Sequence, residues 1–500
     1  MVAKMIGGLP DEIVVLIAVR VLDSAVSRIP MAIGSAEEAM YGIGSTCRRM
    51  RRLVKASLAC RPDVWLRVSC CASAAACIAA FPDAPSLAVE GQVPAGALTV
   101  ALRSRRARVI RSLCIGGVVS SERTARALMR TLASIGVRAL DITIAHTSSI
   151  GLVSTLDRLT LLSSDIRTAA CIARLTGLRE LELSACHRLG DIASISALQS
   201  LRKLAISHCS RLRDVSALAS LSGLVELSVV STSHRLRGLA EVASLGSLRV
   251  LDVRRAEMDV GLVARIARLE DLKMRRAPTL HSLSALRSLS SLEYDGDGYD
   301  EHPMGLPALR GLTTLRLLRW DMPDELECTG GLLALRELHL RDIHQMRALP
   351  VHALTGLRVL RVHRCPDLED AGAISGLVHL RELAVTSCVR LRDLTHVTRL
   401  TGLESLDITC EEPDDLGRLT RLTRLRSLRM WVAAGIGGLD ALHRLSSLTE
   451  LSIGSFPRTT DIGPIRSLVR ARVSLTGCNT ALVSSVDERD ATLRAYPAHR

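Results

Sequence analysis

Apolar residues are spaced along most of this chain in a way that suits neither one long helix nor one long strand. In "LVHLRELAVTSCVRLRDLTHVTRL" (377–400), Leu377, Leu380 and Leu383 are three apart. Leu383 and Val385 then shift to a spacing of two, the period of a strand. Cys388 follows, and Leu391, Leu394, Val397 and Leu400 return to threes, as in a turn of helix or 3₁₀. One segment of about two dozen residues therefore holds a short strand, a bend and a return path.

The same pattern recurs. Counted by the first leucine of each copy, it begins at 156, 178, 201, 224, 248, 269, 289, 312, 335, 357, 380, 403, 425 and 448, with a degenerate copy at Arg470. Self-similarity at this period, with L-x-x-L-x-L-x-x-C/N-x-L inside it, resembles the leucine-rich repeat over about 156–480. One copy cannot bury its own apolar face, so copies stack. The resemblance implies an α/β fold: a leucine-rich-repeat solenoid, or horseshoe, with a parallel sheet on its concave face. Leu380, Leu383, Val385 and Leu391 are expected to point inward. Cys186, Cys209, Cys365, Cys388 and Cys478 share the position three residues after the second inner strand residue. A small, weakly hydrogen-bonding side chain suits a buried bend there.

Before the array, residues 69–155 carry longer copies and an N-terminal cap. "VIRSLCIGG" (109–117) predicts a strand, "SERTARALMRTLASIG" (121–136) a helix, and "VRALDITIA" (137–145) the next strand. "CCASAAACIAAFPDAP" predicts a helix ended by Pro82 and Pro85. After Thr480 the pattern fades, and 481–500 is expected to be a polar C-terminal cap and tail. "LEYDGDGYDEHPMGLPALRGL" (292–312) is rich in acids, glycine and proline. Asp295, Asp297 and Asp300 resemble part of an ion-binding loop, but the later glutamate is missing, so a solvated loop is expected and no metal.

Residues 1–68 lack the repeat. "LPDEIVVLIAVRVLD" (9–23) predicts an amphipathic helix: Pro10 suits the first turn, and Asp11 and Glu12 suit the positive end of the dipole. Leu9, Ile13, Leu16, Ile17 and Leu22 make its apolar face. With "STCRRMRRLV" (45–54, containing Cys47, Met50 and Leu53) and "RPDVWLRVS" (61–69), it resembles an F-box ahead of leucine-rich repeats. Met50 stands where that family has tryptophan, and the connection "PMAIGSAEEAMYGIG" is longer than usual. The F-box resemblance implies docking to a Skp-type adaptor subunit and cullin of an SCF-type ubiquitin ligase, with a target protein held on the repeats. The same segment also reads as a plain N-terminal cap of the solenoid, on a scaffold with no ligase link.

Composition refines this picture. The chain has 500 residues, 48% hydrophobic but only 2% aromatic, so leucine, valine and alanine must fill the core. The net charge of +14 is nearly all arginine, since lysine occurs only at 4, 55, 203 and 273. That excess favours an acidic or phosphorylated partner. Scarce aromatics speak against nucleic acid, which needs stacking platforms. The 14 cysteines include the five at the corner position, where free thiols of a reducing compartment are expected. Asp11, Glu12 and Arg20 interrupt the N-terminal apolar stretch, which excludes a signal peptide there. No apolar run reaches the roughly 18 residues of a membrane span, so a cytoplasmic or nuclear protein without membrane attachment is expected.

No zinc-protease, nucleophile-elbow, phosphate-loop or dinucleotide motif occurs. No enzyme activity and no cofactor are expected. The residues between the inner leucines are the candidate ligand contacts. Arg316, His339, Arg341, Arg361 and His363 are expected to cluster across three consecutive strands, where guanidinium forks would hold carboxylates or phosphates. Arg429 with Trp431 adds an exposed aromatic of the kind that anchors interfaces.

Overall fold

The computed structural model describes residues 66–68, 86–89, 95–103, 105–145, 147–230, 236–254, 260–275, 281–296, 306–320, 331–391, 395–410, 416–432, 439–454, 472–476 and 493–496. Contacts divide the chain at Leu248 into two units. In the first, the strands are β1 (Leu66–Val68), β2 (Ser86–Val89), β3 (Ser112–Val119), β4 (Ala139–Ile144), β5 (Arg158–Leu162), β6 (Glu180–Ser184), β7 (Lys203–Ser207) and β8 (Glu226–Val230). Each pairs in parallel with the next in sequence. Helices α1 (Ala95–Leu102) and α2 (Glu122–Ile135) lie on return paths of this unit, and α3 (Leu239–Val242) is a single turn.

The second unit continues with β9 (Val250–Asp252), β10 (Asp271–Arg275), β11 (Ser291–Asp295), β12 (Thr314–Leu318), β13 (Glu337–Arg341), β14 (Val359–His363), β15 (Glu382–Thr386), β16 (Ser405–Cys410), β17 (Ser427–Val432), β18 (Glu450–Gly454), β19 (Arg472–Thr476) and β20 (Leu493–Tyr496). All neighbours from β9 to β20 are parallel. One helical turn, α4 (Val260–Val263), lies among 3₁₀ returns.

One repeat explains the rest. In β6, Leu181 and Leu183 are buried, while Glu180 and Glu182 face out. From Cys186 onward, every third residue is buried: Leu189, Ile192, Ile195, Leu198, Leu201 and Leu204. A spacing of three is the turn of a 3₁₀ helix, whose side chains at i and i+3 eclipse. Ala193–Ala197 is such a helix. Asp191 starts it by accepting the Ala193 N–H at 2.7 Å, and Asp214 and Asp370 do the same for Ser216 and Gly372. The fourteen leucines that set the period, from Leu156 to Leu448, are all buried. Shortening such a leucine to alanine typically costs about 2–5 kcal/mol.

The bend has a specific cause. The residue before the corner is left-handed in repeat after repeat: Ser163, Ala185, His208, Arg319, Asp342, Arg364 and Ser387 have φ between 45° and 56°. This turns each backbone N–H toward the next strand. Ala185 N–H donates to Ser207 O at 2.9 Å, and Arg364 N–H to Thr386 O at 2.9 Å. The corner side chain then drops into the core. Cys186, Cys209, Cys365 and Cys388 are all buried free thiols that bond a strand-end carbonyl. Each sulfur faces the corner cysteine of the neighbouring repeat. The hydrogen-bonded Cys186 sulfur, and then burial, push Cys209 far up; Cys388 and burial do the same to Cys365. Cys478 and Arg470 lie outside the described residues. In the repeat that begins at 312 the corner is filled by Trp320, which packs edge-on against Tyr294 of β11 with ring centroids 5.3 Å apart.

Several expectations shift at the ends. The strand–helix–strand reading of 109–145 matches β3, α2 and β4, and Gly136 closes α2 at φ 79°. The sheet starts earlier than the array read from sequence, because β1 falls within "RPDVWLRVS" and pairs with β2. It also ends later, because β20 adds a strand within the segment expected to be a polar cap and tail. These strands lack the leucine period, so only backbone pairing reveals them. The F-box-like candidates Leu9, Pro10, Ile13, Leu16, Ile17, Leu22, Cys47, Met50 and Leu53 lie outside the described residues, as does the helix read at "CCASAAACIAAFPDAP". Among the described residues no helix is long and apolar enough to cross a membrane.

Candidate functional site

Because strand side chains alternate, each strand from β10 to β18 shows three residues on its outward face. Register sets these into rows. The middle row runs Asp252, Lys273, Glu293, Arg316, His339, Arg361, Ala384, Asp407, Arg429 and Ser452 from β9 to β18. The next row runs Arg275, Asp295, Leu318, Arg341, His363 and Thr386 from β10 to β15, and Thr409, Trp431 and Gly454 from β16 to β18. Adjacent strands are about 4.8 Å apart, so in-register neighbours touch.

The structure brings the five expected basic residues onto β12, β13 and β14. They are not equivalent. Arg361 is exposed and pairs with Glu382 of β15 at 3.0 Å. Arg341 pairs with Asp342 at 3.3 Å, and Asp342 also holds Arg364 at 3.1 Å. Arg316 pairs with no carboxylate among the described residues. The cluster is thus partly neutralised at Arg341 and Arg361, and Arg316 on β12 keeps an uncompensated charge.

His339 lies between Arg316 and Arg361, and its side chain is only 18% exposed. Burial and the two arginines lower its pKa to about 4, so the ring is neutral. Its Nε2 has no hydrogen-bond partner, and Glu337 stays 3.9 Å away. His363 is also lowered, by burial and then by Arg341, and its Nδ1 shares a 2.7 Å hydrogen bond with Thr386 Oγ1.

To the β11 side, Asp252, Glu293 and Asp295 are occupied. Arg254 is held by Asp252 and by Glu293, each at 2.8 Å. Asp295, the first acid of the ion-loop-like stretch, is paired with Arg319. Asp297 and Asp300 lie outside the described residues, and no three potential metal-binding side chains converge among the described ones.

To the β15 side the face turns small and then aromatic. Ala384, Thr386, Ser405 and Thr409 form a low floor. Asp407 sits in register beside Arg429, and burial raises its pKa against the pull of that arginine. Trp431 is 52% exposed, and its indole lies over Gly454, where a methyl group would come within 2.6 Å of Cδ2. Arg429 and Trp431 therefore share a face with the basic cluster but stand three strands away from Arg361. Sequence reading missed Glu382, Asp342 and Gly454 as partners of these residues. Carrying the row one strand further would have flagged Gly454.

These observations define the class. The period, the buried leucines and the parallel ladder are those of the leucine-rich-repeat fold. No family model matches this chain. No curated protein matches it either. Similar solved structures include an internalin (inlF) of Listeria monocytogenes, with 18% identity over 69% of this chain and 88% of that one and a TM-score of 0.39. A leucine-rich-repeat protein of Leptospira interrogans shows 16% identity over 82% of this chain and 99% of its own, with a TM-score of 0.47. The functional domain of InlJ from Listeria monocytogenes, which includes a cysteine ladder, shows 16% identity over 65% and 75%, with a TM-score of 0.40. At such values these likenesses say nothing about function.

Proposed function

We propose that this chain is a non-catalytic recognition protein that holds a protein partner on the outward face of β12–β17. The observation that carries the reading is the register of Arg316, His339 and Arg361 on three consecutive strands. A rigid parallel sheet fixes their spacing without further ordering, so little conformational entropy is lost on binding. The half-exposed Trp431 adds an anchor of the type that dominates interfaces. Arg316, without a carboxylate partner among the described residues, and the exposed Arg361 favour an acidic or phosphorylated partner.

A finer reading rests on residues 9–54, whose motifs resemble an F-box. It makes the chain an adaptor that joins a Skp-type subunit and cullin to the captured target, and so raises their effective concentration. Two experiments separate the readings. In the first, the full chain is purified with its partners from its own cell, beside Arg341→Glu with Arg361→Glu. That double variant should lose the partner by about tenfold or more while keeping its circular dichroism. Unchanged capture refutes the recognition face. In the second, the full chain and one lacking residues 1–60 are tested for retention of a Skp subunit. Failure of the full chain to retain it leaves a scaffold with no ligase link.

A further inference from the structure

The arrangement on this face is specific enough to describe the occupant. We propose that it is an extended peptide segment, lying across the strands, that carries an oxyanion and, about six residues away, an apolar side chain. The oxyanion, carboxylate or phosphate, sits between Arg316 and Arg361, and the apolar group lies on Trp431. This deepens the recognition reading and rests on it.

The anion end follows from charge and reach. Arg316 and Arg361 flank one strand, about 10 Å apart at their backbones, so two long guanidinium side chains can close on a common group above His339. The neutral His339 ring floors the gap without supplying a counter-charge. Arg316 has no carboxylate partner among the described residues. Arg361 holds Glu382 in a pair whose side chains are 52% and 46% exposed. Such an exposed pair is weak, so an incoming oxyanion can replace it. A guanidinium fork matches either a carboxylate or a phosphate.

The preference is confined to that end. Asp407 stands beside Arg429 and offsets its charge, so the β17 end is not a second anion site. What it offers is the exposed indole, held flat over Gly454. Between the two ends, Ala384, Thr386 and Thr409 leave room for a backbone to pass beside Asp407.

Spacing then sets the length. The anion lies over His339 of β13, and from β13 to β17 there are four strand intervals, about 19 Å. An extended chain advances about 3.4 Å per residue, so about six residues span the gap. Residues six apart in an extended chain also point to the same side; five or seven apart, they point to opposite sides. A single-stranded nucleic acid fits poorly, because the face has one exposed tryptophan rather than a series of stacking platforms. Glu337, Glu382 and Asp407 would also repel its continuous phosphates.

The test uses the full chain and fluorescent glycine–serine peptides. Each bears one phosphoserine or one glutamate and one leucine, with the separation varied from two to seven, and anisotropy reports binding. The expected result is tightest binding at a separation of six, with odd separations weaker. Arg316→Gln with Arg361→Gln should weaken the anionic peptides by about tenfold and bring them level with serine controls. Trp431→Ala should erase the advantage of leucine over alanine. Phosphoserine exceeding glutamate would assign the phosphate source; the reverse would assign a carboxylate. Binding that ignores separation, or no peptide binding, overturns the proposal. So does tighter binding of an oligouridine that depends on the same arginines. If the cell-derived partner is still lost from Arg341→Glu with Arg361→Glu while the peptides ignore separation, this inference fails and the recognition reading survives. If neither responds, both fail.

Discussion

His339 should make this protein acid-sensitive in a window where carboxylates contribute little. Its ring binds a proton near pH 4 in the fold, against an ordinary value of 6.5, because burial and then Arg316 and Arg361 disfavour the cation. The unfolded ring binds its proton near 6.5. Unfolding therefore takes up a proton between these values, and stability falls as the pH drops through that window. It is unaffected by this group above about pH 7. One pKa unit corresponds to about 1.4 kcal/mol, so at pH 5 the loss is about 2 kcal/mol. The side chain is 18% exposed, so solvent screens it only modestly. The perturbation is His339→Gln, which keeps a polar group of similar size and removes the titration. Urea unfolding at pH 7 and pH 5, followed by circular dichroism, gives the pH-dependent difference for each protein. His363 is lowered in the same direction and is present in both, so it cancels. The variant should lose about 2 kcal/mol less between the two pH values. A nuclear magnetic resonance titration should place the His339 ring near pH 4, rising in Arg316→Gln. Equal pH dependence in both proteins, or a ring titrating near 6.5, would refute the burial-and-charge account of this site.

Further outcomes follow from the bends and caps. Ala185→Gly should stabilise the protein by roughly 0.5 kcal/mol, because relief of a left-handed alanine exceeds the entropy glycine adds to the unfolded chain. A lower urea midpoint in that variant would contradict the turn assignment. Gly136→Ala and Gly238→Ala should differ, although both glycines have φ near 80°. At 136 a methyl meets nothing closer than Arg111 at 4.0 Å, so only the left-handed strain of about 1–2 kcal/mol applies. At 238 it meets backbone, at 2.7 Å from Ser216 Cα and 2.8 Å from Val215 C. Relief there must disturb the Val215 N–H bond to Arg237 O and the Ser216 N–H bond to Asp214. At about 1 kcal/mol per bond, the loss reaches roughly 3–4 kcal/mol. Equal midpoint shifts for the two variants would show that space at 238 does not matter.

Much of the fold is legible in the chain because a repeat states its geometry many times. The change from spacing two to spacing three marks strand against 3₁₀ return, and it places every period-setting leucine from Leu156 to Leu448 in the core. Alternation along each strand also names the outward residues, so Arg316, His339, Arg341, Arg361 and His363 can be grouped from spacing alone. The two terminal strands, β1 and β20, carry no leucine period. They are visible only through backbone pairing.

The sequence alone thus determined the rung, its inner and outer faces, and which basic residues share three neighbouring strands. Tertiary structure decided what those residues are free to do. Glu382 comes beside Arg361 only through pairing between rungs, and Asp342, the sequence neighbour of Arg341, is shared with Arg364 of the next rung, whereas Arg316 meets no such acid among the described residues. Gly454 reaches Trp431 in the same way. The physical reason is that spacing along one strand fixes direction, while charge neutralisation and exposure depend on the neighbouring strand, some twenty residues away in sequence.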